Sequence, residues 1–149
     1  MPGGGVPSFD LIDQLQKPVL LICDDDLAFQ IKETFLNEIT TKRAHHQSIF
    51  LIFVTQSLFE KSLKVAGKNT SYLILTRSPS SRIKTRTFGT QLFPRNLAFF
   101  MNAFDDATSR NWGYLLLDLH PASDPILKVR TNIFPTDREK IIYTPLKGV

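Results

Sequence analysis

The sequence predicts an α/β fold, a three-layer arrangement with a mainly parallel sheet and antiparallel strands at the carboxyl end. Three observations lead there. Continuous apolar runs recur at Val19-Leu20-Leu21-Ile22-Cys23, Ile49-Phe50-Leu51-Ile52-Phe53-Val54 and Tyr72-Leu73-Ile74-Leu75, the pattern of strands covered on both faces. Stretches of helical periodicity separate the runs, as the crossovers of a parallel sheet require. From Leu127 to Phe134 apolar and polar residues alternate, which marks a more exposed strand at an edge.

Taken in order, the Gly- and Pro-rich residues 1–8 read as a flexible lead-in, because they carry too little apolar surface to offset the entropy of ordering them. A single α/β domain is expected over residues 9–149, a length sufficient for a sizeable core. The first strand runs from Pro18 into Asp24-Asp25-Asp26. Leu27, Ile31, Phe35 and Ile39 then recur every fourth residue, the stripe of a helix reaching about Lys42. The second strand ends in Thr55-Gln56, and a helix is expected over 57–66. Gly67-Lys68-Asn69 is a turn and 71–76 the third strand, capped at its far end by Arg77. Ser78-Pro79-Ser80-Ser81 starts a helix. Leu97, Phe100, Met101, Phe104 and Ala107 line another, ending near Ser109-Arg110-Asn111. Residues 114–118 form a fourth strand and 120–125 a loop. Ile141-Ile142-Tyr143 pairs with the alternating strand.

No stretch approaches a membrane span and no charged-then-apolar leader opens the sequence, so the reading is a soluble, unexported protein without membrane contact. The single Cys23 lies inside the first strand, can form no intramolecular disulfide, and suits a reducing, intracellular compartment. The net charge of +4 conceals an asymmetry. Residues 1–30 hold five Asp and one Lys, whereas residues 61–95 hold eight basic residues and no acid. The second stretch suits a polyanion, with a solvated surface as the plain alternative.

Three adjacent carboxylates repel one another, and a divalent cation relieves that repulsion directly. Ligands of parallel sheets gather beyond the carboxyl ends of the strands. A right-handed crossover between the first two strands would bring Gln56 to the same edge as the acids. The expectation is a Mg²⁺-nucleotide site; the alternatives are that the acids cap the next helix and that Thr55-Gln56 begin one. His45-His46 has no third ligand at metal spacing and reads as a polar turn. Asp105, Asp106 and Asp118 read as capping or turn acids. No G-x-x-x-x-G-K-[ST] phosphate loop occurs in the sequence, and Met1-Pro2-Gly3-Gly4-Gly5 has neither its spacing nor its lysine. A phosphoacceptor receiver domain shares the Asp24-Asp25 pair but lacks an acceptor Asp after the second strand.

Taken together, Gly-Val-Pro-Ser at 5–8, Pro-Val-Leu-Leu-Ile-Cys-Asp-Asp at 18–25, His-His at 45–46, Phe-Val-Thr-Gln-Ser-Leu-Phe at 53–59, Asp-Ala-Thr-Ser at 106–109, Gly-Tyr-Leu-Leu-Leu-Asp-Leu at 113–119 and Arg-Thr-Asn-Ile-Phe-Pro at 130–135 resemble packaging ATPases of double-stranded DNA viruses. These are the poxvirus-like and Polinton/adintovirus-like motors of the FtsK/HerA superfamily. The resemblance runs from about Gly5 to the carboxyl end and implies the second half of a P-loop NTPase core of RecA/ASCE type, the Walker A half lying before it. It implies ATP and Mg²⁺ as cofactors, double-stranded DNA as partner and a homo-oligomeric ring. By it Asp24 is the Walker B acid that holds Mg²⁺ through water, Asp25 polarises the attacking water, and Gln56 is the polar sensor. Arg77 and Arg82 are implied as a trans-acting arginine or as DNA contacts. Asp26 and Ser80-Ser81 depart from the family's pattern. The alternative expectation is a non-catalytic interaction or DNA-binding remnant.

Overall fold

The computed structural model describes residues 5–24, 31–56, 68–78 and 81–146. The chain divides into two compact units, Met1–Asn69 and Thr70–Val149. The first holds a two-stranded sheet and the second a four-stranded one.

In the first unit, helix α1 (Phe9–Gln14) opens with Ser8, whose hydroxyl accepts the Leu11 amide. Strand β1 (Val19–Cys23) pairs with β2 (Ile49–Phe53) in parallel, in register from Val19↔Ile49 to Cys23↔Phe53. The crossover between them ends in α2 (Glu33–Glu38), a π turn at Ile39–Arg43 and a last helical turn at Ala44–His46. The helix therefore extends beyond Lys42 and takes in His45-His46, which sequence assigned to a turn. The turn proper is Gln47-Ser48, with Ser48 at φ 51. The sheet's inner face sets Val19 and Ile49 against Ile12 and Ile39, with Phe9, Phe35, Leu21 and Leu51 packed around them. Farther along the strands, Cys23 and Phe53 meet Ile31 and Leu36.

Burial of both faces was the sequence expectation, and it fails for this sheet. Leu20, Ile22, Phe50 and Ile52 are 56%, 60%, 64% and 46% exposed. The continuous runs are thus one packed and one open apolar face. The helix expected over 57–66 lies outside the described residues.

In the second unit, β3 (Tyr72–Thr76) runs antiparallel to β4 (Tyr114–Asp118), which runs antiparallel to β5 (Val129–Thr131), and β5 to β6 (Ile141–Ile142). The antiparallel carboxyl-terminal strands are as expected. The third strand is not: β3 belongs to the antiparallel sheet, so the sheets are not mainly parallel. The connection gives the reason. Helices α3 (Ser81–Leu92) and α4 (Leu97–Ala107) are joined by four residues, the length of an antiparallel helical hairpin. A hairpin returns the chain to the end it left, so the following strand runs back along β3, whereas a single crossover helix would have made them parallel. The apolar run alone does not carry that distinction.

Phe100, Ala103, Phe104 and Ala107 are the buried positions of α4, a stripe at helical spacing. They share the core with Leu115 and Leu117 of β4, both fully buried. Gly89 permits the close approach of the hairpin, since a Cβ there would lie 2.3 Å from the Phe100 ring. Phe93 stacks on the same ring with centroids 5.3 Å apart.

Candidate functional site

Asp24 follows directly on β1. The Val19 amide donates to the Ser48 carbonyl and the Val54 amide to the Cys23 carbonyl at 2.8 Å, so the parallel ladder extends past both strand ends. Its register fixes Asp24 and Gln56 at one carboxyl edge, both exposed. This is the juxtaposition expected from the crossover. Asp25 and Asp26 lie outside the described residues. Among the described residues no group of three or more His, Cys, Asp or Glu could hold a metal ion. Mg²⁺ in a nucleotide site, however, takes only one or two protein carboxylates and draws its other ligands from phosphates and water. An exposed carboxylate at a parallel strand's end fits that requirement. Immediately before it, Cys23 is half-buried and its thiol is pushed up by burial, so it is a packing residue with little thiolate character.

Arg77 and Arg82 belong to the second unit, where the structure brings them together on one carboxylate. Arg82 donates from both terminal nitrogens to Asp105, at 2.8 and 2.9 Å, in the bidentate geometry that suits guanidinium. Arg77 reaches the same carboxylate at 3.6 Å. Both arginines are more than half exposed, so these pairs orient the side chains and add little stability.

The two arginines line a cavity of about 760 Å³ together with Ser109, Arg110, Asn111 and Trp112. Sequence reading took Ser109-Arg110-Asn111 as a helix end and gave Trp112 no role. The loop is tightly held. Thr108 Oγ1 donates to the Phe104 carbonyl at 2.6 Å and Ser109 Oγ to the Asp106 carbonyl at 2.7 Å. The Gly113 amide closes a turn on the Arg110 carbonyl. Any side chain at 113 would collide with the Ala107 carbonyl, 2.4 Å from its Cβ. Nearby, Tyr143 donates its hydroxyl to Asp106 at 2.6 Å. Burial first, then that hydrogen bond, pushes the Tyr143 phenol above its ordinary value, keeping it a donor.

Asp118 is buried at the end of β4 and fully engaged: it accepts from the His120 amide, the Ser123 hydroxyl at 2.7 Å and Arg130 at 3.0 Å. Its role is structural, as expected for a turn acid. No helix among the described residues is long and apolar enough to cross a membrane. No protein-family model, no curated protein and no solved structure matches this chain.

Proposed function

We propose that the chain is the Walker B half of a DNA-translocating ATPase core of the viral packaging type. Asp24 holds Mg²⁺ through water, Asp25 polarises the attacking water, and Gln56 senses the phosphate from the neighbouring strand. The observation that carries this reading is the parallel register of β1 and β2, which sets Asp24 and Gln56 at a single carboxyl edge, where ligands of parallel strands gather. Double-stranded DNA as partner and assembly into a homo-oligomeric ring belong to the same proposal.

Bound ATP with Mg²⁺ supplies the phosphoryl group and most of the metal's remaining ligands. Phosphoryl transfer also needs backbone amides and a lysine around the triphosphate, and no G-x-x-x-x-G-K-[ST] motif occurs in this sequence. Lacking that preorganised cradle costs several kcal/mol of transition-state stabilisation, which is orders of magnitude in rate. The purified chain is therefore expected to release phosphate from ATP no faster than background. A polypeptide carrying the Walker A half is expected to restore turnover, and Asp25→Asn to abolish it again. Robust turnover by the chain alone would overturn the split-core reading.

A second reading, a non-catalytic subunit that docks on another protein, is favoured by the open apolar face of Leu20, Ile22, Phe50 and Ile52. Copurification with a complete ATPase, without affinity for DNA, distinguishes it from the first.

A further inference from the structure

Trp112 combines two unfavourable features. Its side chain is 98% exposed, although a buried indole is among the largest apolar contributions a residue can make. Its backbone sits at φ 64, a left-handed conformation costing an L residue about 1–2 kcal/mol. In the Arg110–Gly113 turn it occupies the third position, where a positive φ is the province of Gly or Asn. Asn111 stands immediately before it, in the position that makes no such demand. The rigid hydrogen bonding of the loop holds the indole out in water, and coincident costs of this kind point to a use.

The surroundings define the use. Arg77, Arg82 and Arg110 border the same cavity; the Asp105 carboxylate pairs with the first two, and Asp106, which accepts from the Tyr143 hydroxyl, is a second acid close by, so the three guanidiniums remain in excess. No acidic residue is among the described lining residues. Ser109 and Asn111 add neutral hydrogen-bonding groups. A flat, exposed ring beside several cations is the recognition chemistry of an unpaired base and its flanking phosphates.

We propose that the 109–113 loop, with Arg77 and Arg82, binds a single strand of nucleic acid: a base stacks on Trp112 while the arginines contact phosphates. A strand suits this site better than a free nucleotide. The ring is open rather than enclosed, so a single base has little else to hold it, whereas a strand engages several arginines at once. Paired bases in a duplex present no free face to the indole. The proposal is independent of the Walker B reading, whose residues Asp24 and Gln56 lie in the other unit.

Trp112 is the only tryptophan in the chain, so its fluorescence reports on the site directly. The full chain is titrated with a single-stranded oligothymidylate, the corresponding duplex, Mg²⁺-ATP and heparin. Saturable quenching by the single strand is expected, with much weaker effects from the other three. In parallel, anisotropy of a labelled single strand is expected to show about tenfold weaker binding or worse for Trp112→Gly. Glycine suits the positive φ, so this variant should fold at least as stably as wild type and its loss of binding cannot be ascribed to misfolding. Trp112→Phe should retain a large part of the affinity. Unchanged affinity of Trp112→Gly, binding by anisotropy without quenching, absence of binding, or equal quenching by duplex, ATP or heparin would each overturn the proposal.

Discussion

Trp112 and Asp118 stand at opposite extremes of cost. Trp112 is an apolar side chain left in water, whereas Asp118 is a charge brought out of it, with a side chain only 4% exposed. The carboxylate is tolerated because its oxygens are occupied by an amide, a hydroxyl and the Arg130 guanidinium, as buried charge requires. Removing one member of such a set strands the other. Asp118→Ala is expected to cost about 3 kcal/mol of stability, since Arg130 would be left partly buried without its counter-ion. Asp118→Asn keeps an acceptor for Ser123 and should cost about half that or less. Urea midpoints of the two variants check the ordering; equal, small shifts would show the Arg130 pair to be unimportant.

Elements differ in how far their sequences disclose them. Val19–Cys23 and Ile49–Phe53 were legible as a parallel crossover because apolar runs flank a periodic helical stretch, and from that followed the joint placement of Asp24 and Gln56. Tyr72–Thr76 looks the same as either run, and only the two helices after it decide its direction. Helix α1 was not legible: six residues give less than two turns, too short for a periodic signal. Trp112 carried no signal in the sequence, because exposure and a positive φ are properties of the folded loop. The attachment of α1 depends equally on tertiary structure. Arg43 donates to both oxygens of Asp13 at 2.9 Å and to Glu38 at 3.0 Å, while its guanidinium lies 4.2 Å from the centre of the Phe9 ring. The hydrogen bond from Arg43 holds the Asp13 carboxyl below its ordinary value. A lowered carboxylate pKa means that stability is present above the unfolded value and is lost as pH falls through the folded one. Wild type should therefore exceed Asp13→Asn in stability at neutral pH and lose that advantage in acid, below the ordinary carboxylate range. Denaturation at a series of pH values tests this; a constant difference would rule out the ion pair as its source.

At the scale of the whole molecule, charge is distributed more tellingly than its net value of +4 suggests. Residues 61–95 contain eight basic residues and no acid, and Arg77 and Arg82 from that stretch meet Arg110 at the cavity beside Trp112. Each phosphate neutralised on a single strand releases condensed counter-ions, so the logarithm of the binding constant falls linearly with that of salt concentration, by about 0.7 per contact. Three arginines alone imply a slope of about −2, and other basic residues of 61–95 that reach the strand make it steeper. Arg110→Gln should reduce the slope by about 0.7 while leaving the quenching of Trp112 at saturation unchanged. Trp112→Gly should do the reverse, lowering affinity at every salt concentration without altering the slope, because stacking neutralises no phosphate. Titrations of both variants between low and moderate salt separate the two contributions. Binding that is insensitive to salt would remove the arginines from the interface, and a slope that changes with Trp112→Gly would show that the indole acts by positioning the cations rather than by stacking.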